Sequence, residues 1–302
     1  MSSGRNSLVA LLGIFVCAIL HPAPSQAATI RDDQSDSDYV ALANNADFAA
    51  VGLFVNSFGF TGSATLIAPD WVLTAAHNLT AATSGTFTLG GIAYSSTQLI
   101  GNPGWNGNGF NGYDFGLVHL SSPVTNVTPA TLYTDSLQPV WQATYVGLGF
   151  TGTGLTGWKT LDGQKRAFNN LVDDDFGTPA KVAGSDFDNP HSTTDNRFGS
   201  PIPLDLEGCV APGDSGGGVF VTVNSRTYLA GVISFFAATD GNINASYGDV
   251  SGFGLVSFAA PWINSSIPEP SSLSLLFGLG SIWCLRRSRV GNNLSSKLPA
   301  VF

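Results

Sequence analysis

Cysteine, methionine and charge are scarce in this chain. Three of its 302 residues are cysteines, one is methionine, and 11% are charged. Cys17 falls in an apolar N-terminal run and Cys284 in an apolar C-terminal one, which leaves Cys209 alone between them. One thiol makes no internal disulfide, so the core must hold the fold unaided. A lone cysteine of this kind reads as a buried small hydrophobe rather than a nucleophile. Basic side chains are few as well. Residues 28–267 carry 20 acidic and 7 basic groups, a net of −13, with no basic stripe. That composition excludes nucleic acid as a natural partner. Helical periodicity beyond two turns, internal repeats and an uninterrupted apolar run of the roughly 20 residues needed to span a bilayer are all missing.

What is abundant is glycine, at 36 residues, with 16 prolines spread along the chain. Between them lie short runs of Val, Ile, Thr, Phe and Tyr, the composition of strands bounded by turns. Such runs occur at 50–55, 63–67, 71–74, 115–120, 145–148, 219–223, 228–235 and 252–257. Residues 28–46 are polar and Asp-rich and read as an arm. Residues 157–208 are more polar and less periodic. Ala259-Ala260-Pro261-Trp262-Ile263 opens a short terminal helix. The reading is all-β, with two strand-rich halves meeting near residue 140.

Both ends look like targeting segments. Arg5, an apolar stretch at 8–20 and the small residues of Ser25-Gln26-Ala27 make a signal peptide over residues 1–27, with signal peptidase cutting after Ala27. At the other end Pro268-Glu269-Pro270 precedes an apolar segment at 271–285 and then Arg286-Arg287. This order is similar to the PEP-CTERM sorting signal of Gram-negative bacteria. The resemblance implies transient membrane engagement by residues 268–289, processing by an exosortase-type enzyme, and release or retention at the outer surface. The tail at 290–302 extends past the usual end of such signals.

Three motifs carry chemistry. Pro212-Gly213-Asp214-Ser215-Gly216-Gly217-Gly218 places a serine on a tight, glycine-flanked turn. A serine hydroxyl is a weak nucleophile, and backbone N–H groups aimed at a forming oxyanion are what it needs. The plainer reading is a glycine-rich turn. Thr74-Ala75-Ala76-His77 sets a histidine behind small residues after an apolar strand, suited to general base work near neutral pH. The plainer reading is a satisfied histidine. Tyr113-Asp114-Phe115-Gly116-Leu117-Val118 puts an aspartate at the head of an apolar strand, where it can fix an imidazole; the plainer reading is a turn aspartate.

Taken together, and in this order, His77, Asp114 and Ser215 resemble the triad of the trypsin/chymotrypsin family. The resemblance extends over roughly residues 48–263 and includes Gly62-Ser63-Ala64-Thr65-Leu66-Ile67-Ala68-Pro69, Asn102-Pro103-Gly104-Trp105 and Gly231-Val232-Ile233-Ser234-Phe235. It implies two six-stranded antiparallel β-barrels with a short C-terminal helix, and a monomeric serine endopeptidase acting on polypeptides. It also implies an oxyanion hole from the N–H groups of Gly213 and Ser215, and no metal or organic cofactor. Cys209 then stands at the base of the primary pocket, with Ser234, Phe235 and Phe236 along its wall. These favour small or medium apolar residues before the scissile bond. Asp249 could reach the pocket floor, although an ordinary turn aspartate is the plainer reading. In the family a new N-terminal amine pairs with the aspartate before the nucleophile, here Asp214. Ile30 is the candidate amine, and local N–H groups are the alternative partner. Asp173-Asp174-Asp175 and Asp186-Phe187-Asp188 are rich in the oxygen ligands Ca²⁺ takes, or else are solvated loop faces. The rival to an enzyme is a non-catalytic surface or matrix-binding protein on the same fold.

Overall fold

A computed structural model describes residues 28–137, 141–173, 176 and 180–267. The signal-peptide and PEP-CTERM-type segments lie outside the described residues. Among those described, no helix is long and apolar enough to cross a membrane.

The chain opens with a short strand, β1 (Ala28–Ile30), and a helix, α1 (Asp36–Ala43). Six strands follow: β2 (Val51–Asn56), β3 (Thr61–Ala68), β4 (Trp71–Thr74), β5 (Gly85–Leu89), β6 (Ile92–Gly101) and β7 (Gly116–Leu120). They close into an antiparallel barrel in the order β2-β3-β4-β7-β6-β5. Phe54, Leu66, Val72, Phe87 and Val118 are fully buried and fill it. Strand alternation explains the fit, because every second residue of β5 (Gly85, Phe87, Leu89) faces inward.

The second lobe is a six-stranded antiparallel sheet ordered β11-β8-β14-β15-β16-β12. Its strands are β8 (Gln142–Gly147), β11 (Arg166–Leu171), β12 (Val182–Asp186), β14 (Gly218–Val223), β15 (Arg226–Ala237) and β16 (Val250–Leu255). The expected second barrel is thus present as an open curl with β11 and β12 at its edges. A four-stranded sheet, β10-β9-β1-β13, attaches β1 through β9 (Thr151–Thr153), β10 (Gly157–Thr160) and β13 (Gly208–Cys209). The chain ends in α2 (Val256–Ser266). This is the chymotrypsin-like pair of β lobes with a short C-terminal helix that the resemblance implied. Helix α2 begins three residues before the stretch expected to open it.

The polar arm is more ordered than its composition suggests. Tyr39 of α1 is fully buried, and its hydroxyl donates to the Glu207 carbonyl oxygen (2.8 Å). Arg166 of β11, with no side-chain exposure, forks onto Asp36 of α1 (2.6 and 2.7 Å) and onto Asp162 (3.1 and 3.2 Å). A planar guanidinium suits this two-sided pairing. The arm is therefore clamped to the second lobe by polar groups rather than by an apolar stripe.

Candidate active site

Strand β4 is buried throughout, and Ala75 and Ala76 behind it are buried too. Their small side chains let the backbone turn at once into a single 3-10 turn (Ala76–Leu79) that carries His77. Asp114 stands just ahead of β7, the neighbour of β4 in the barrel. The pairing of those strands brings the two residues together. His77 Nδ1 lies 2.7 Å from Asp114 Oδ2, and the His77 backbone N–H donates to Asp114 Oδ1 (2.9 Å). Asp114 is 1% exposed, whereas about a third of the imidazole is open to solvent. With the carboxylate as acceptor, Nδ1 carries the proton and Nε2 presents a lone pair. A third donor, Ser234 Oγ, completes the carboxylate at 2.6 Å. The ring of Trp105, in the Asn102-Pro103-Gly104-Trp105 loop, stands 6.3 Å from the His77 ring.

Ser215 lies on the turn before β14, fastened from the first lobe. The Ser63 N–H and Asn78 Nδ2–H both donate to the Ser215 carbonyl oxygen (2.8 Å each). Ser63 Oγ donates to the Gly213 carbonyl oxygen (3.0 Å) and accepts from the Leu148 N–H (2.8 Å). Ser63 thus bridges the lobes. Gly213 sits at φ +90°, and a Cβ there would meet the Gly149 Cα at 2.8 Å, so both conformation and space require glycine. Among the described residues, no carbonyl or side chain accepts from the N–H of Gly213 or of Ser215. By contrast Asp214, Gly216 and Gly217 all spend theirs on protein carbonyls. Two free N–H groups flanking a serine oxygen suit a developing negative charge.

Beside Ser215 opens a cavity of about 270 Å³, lined by Val210, Ala211, Pro212, Ile233, Ser234, Phe235 and Phe236. Ser234, Phe235 and Phe236 all lie on the wall of this cavity. Cys209 is a correction. It is fully buried, touches Ser251 Oγ–H through its sulfur (3.4 Å), and packs with Phe187, Ala245 and Tyr247 behind the wall. In a strand neighbouring residues face opposite ways, and it is Val210, one residue on, that reaches the cavity. Burial pushes the Cys209 thiol up, which makes it a poor nucleophile. Asp249 is held elsewhere. Its carboxylate accepts the N–H groups of Thr239 (2.8 Å) and Ser246 (3.0 Å), as a turn aspartate does.

Asp214 is fully enclosed. Its carboxylate accepts N–H groups from Ala211 (2.8 Å), Gly149 (2.9 Å) and Ala28 (3.1 Å). Burial outweighs these donors and pushes its carboxyl up to about 7. The nitrogen that meets Asp214 is therefore that of Ala28, which corrects the expectation for Ile30. Ile30 lies two residues further along β1, between Gly208 of β13 and Thr153 of β9, and is buried in the second-lobe core.

Sequence reasoning missed Ser63, Asn78 and the third donor, Ser234 Oγ. Asn78 directly follows His77, and Ser63 lies on β3, the strand that pairs with β4 before His77, so position alone could have flagged both. Among the described residues no three His, Cys, Asp or Glu side chains converge on one point, and Asp174 and Asp175 lie outside those residues.

Compared with known protein families, the chain matches the one described as Trypsin, over residues 42–253. A search of the curated proteins found no match. The matched region takes in His77, Asp114, Ser215 and both strand-rich lobes, roughly seven tenths of the 302 residues. The chain belongs to the trypsin family of serine proteases.

Proposed function

We propose that the protein is a secreted serine endopeptidase in which His77, Asp114 and Ser215 act as the catalytic triad. One observation carries this reading: Asp114, closed to solvent, holds Nδ1 of a partly exposed histidine at 2.7 Å. The Nε2 lone pair of that histidine is left for a hydroxyl. His77 Nε2 takes the proton of Ser215 Oγ as the oxygen bonds to the carbonyl carbon of a peptide. The carbonyl electron pair moves onto its oxygen, which the N–H groups of Gly213 and Ser215 receive. The pair returns, the C–N bond breaks, and His77 gives its proton to the leaving amine. Water then repeats the sequence against the acyl-enzyme and releases Ser215. Asp114 keeps the imidazole in the required tautomer throughout and is itself kept in place by Ser234.

The residue preceding the scissile bond enters the cavity beside Ser215. The cavity's apolar wall supports a small or medium apolar side chain there. The terminal segments support export, with signal peptidase cutting after Ala27. A PEP-CTERM-type signal then directs the protein to an exosortase-type enzyme at the outer surface of a Gram-negative cell.

A fluorophosphonate probe tests the central assignment. It should label wild type at Ser215 and fail on Ser215→Ala. That variant and His77→Ala should each lose about 10⁶-fold in kcat, with the double variant little worse, because the groups act as a unit. Peptidase activity in Ser215→Ala equal to wild type would overturn it.

A further inference from the structure

The base and the nucleophile stand on different lobes. His77 rides the turn after β4 of the closed barrel, and Ser215 the turn before β14 of the open curl. Among the described residues no disulfide ties those turns together, and the one thiol, Cys209, lies behind the cavity wall. Proton transfer from Ser215 Oγ to His77 Nε2 nonetheless needs the two atoms in register. A misplacement of about 1 Å costs about 10²-fold in rate.

The side chain next to the base spans the gap. Asn78 shares the single 3-10 turn of His77. Its Nδ2 lies 2.8 Å from the Ser215 carbonyl oxygen. That oxygen can only accept, so the nitrogen is the end of the amide that faces it. The second hydrogen of Nδ2 goes to Thr74 Oγ1 (3.0 Å), and the Thr74 hydroxyl donates to the Ser63 carbonyl oxygen (2.8 Å). The Ser63 N–H returns to the Ser215 carbonyl oxygen (2.8 Å) and closes a ring. Both lone pairs of that oxygen are thereby filled from the first lobe. The main chain of Asn78 is pinned as well. Its N–H donates to the Ala75 carbonyl oxygen (3.2 Å), and its carbonyl accepts from Nδ2 of the buried Asn56 (3.0 Å). A Cβ on Gly62 would fall 2.5 Å from Asn78 Nδ2, so only glycine there lets the amide reach across.

We propose that Asn78 is a positioning residue that sets the nucleophile against the base. The proposal rests on the triad assignment made above. At one end the amide is a single residue from His77, and at the other it holds the main chain of Ser215 itself. Ser63 holds the same oxygen from β3, which registers Ser215 on the barrel. Among the described residues, no other hydrogen bond to the Ser215 main chain comes from the turn that carries the base. The cavity beside Ser215 is lined by second-lobe residues alone. A slip between the lobes therefore moves His77 away from Ser215 Oγ and leaves the cavity as it was. Loss of the amide should appear in kcat and spare KM.

Asn78→Ala and Asn78→Asp test this, with active sites counted by fluorophosphonate labelling carried to completion. The aspartate keeps the shape of the side chain and offers the Ser215 carbonyl an acceptor in place of a donor. Each variant should lose about 10–100-fold in kcat per labelled site, with KM within about twofold of wild type. The rate constant for labelling should fall in proportion, because the probe needs Ser215 and His77 but not the peptide cavity. A role in stability alone would lower the melting temperature and leave kcat per labelled site at the wild-type value, which overturns the proposal. A loss confined to KM overturns it too. If Asn78→Ala does not fold, Asn78→Asp decides by the same readouts. A wild type that neither cleaves peptides nor labels at Ser215 overturns the triad assignment and this proposal with it, whereas an active wild type with unchanged variants overturns this proposal alone.

Discussion

Among the described residues lining the cavity beside Ser215 there is no ionisable side chain, and Phe235 and Phe236 fill one wall. Arg or Lys entering it would bury an unpaired charge, at a cost of several kcal/mol in roughly this setting. Reporters with Ala, Val or Leu before the scissile bond should therefore be cleaved faster than those with Arg or Lys. Phe236→Gly should raise kcat/KM for a Phe reporter relative to an Ala reporter by about tenfold or more, because the added room accepts the larger ring. A peptide-library profile checks both, and rapid cleavage after Arg or Lys alone would refute the apolar assignment. The residues of this region were legible to different degrees. His77, Asp114 and Ser215 stood out because each sits in a flank that its chemistry demands. Cys209 was misplaced because a strand reverses side-chain direction at every residue, and counting back from Ser215 does not fix which face a position takes. Asn78 and Ser63 escaped notice because they act through hydrogen bonds to a backbone carbonyl, which leave no compositional trace.

At the scale of elements, the legible strands were those with apolar runs. The expected strands at 71–74, 115–120 and 219–223 lie within a residue of β4, β7 and β14. The polar arm and the 157–208 stretch were less legible, because β1, β10 and β13 are only two to four residues long and α1 is held by the Arg166–Asp36 pair rather than by an apolar stripe. Only Tyr39 and Ala43 of α1 are buried, too few to give a helical stripe. The clamp at Arg166 does what an apolar face does elsewhere. Removing it by Arg166→Met should leave Asp162, 6% exposed, without a cation, and lower stability by about 3–5 kcal/mol. Adding Asp162→Asn should recover part of that loss, since the orphaned charge is gone. Chemical denaturation checks the pair, and a single variant as stable as wild type would show that the clamp contributes nothing net.

At the scale of the whole molecule, the proposed export and the proposed activity meet at Ala28. Its nitrogen lies 3.1 Å from Asp214 Oδ2, and signal cleavage after Ala27 would convert that amide into an α-ammonium. Ala28 also sits at φ +63°, a conformation that costs an L-residue about 1 kcal/mol within a chain and costs nothing at a free amine, which has no preceding peptide. With an amide at this position, the Asp214 carboxyl is pushed from 3.8 up to about 7 by burial. The folded state then holds a proton that the unfolded state has lost, so its stability is full below about pH 4 and declines as pH rises through about 7. With an ammonium in place the carboxylate is paired, and that decline should vanish at neutral pH while the amine, with its ordinary pKa of about 7.7–8.0, stays charged. Two forms decide the matter, one beginning at Ala28 and one with two extra residues ahead of it. The extended form should lose melting temperature between pH 4 and 7 where the other does not. It should also lose kcat/KM at neutral pH by about tenfold or more, since Asp214 stands between Gly213 and Ser215 and an unpaired charge there disorders the turn. Mature enzyme should begin at Ala28 by N-terminal sequencing. Equal activity and equal pH profiles in the two forms would show that Ala211 and Gly149 hold Asp214 without help.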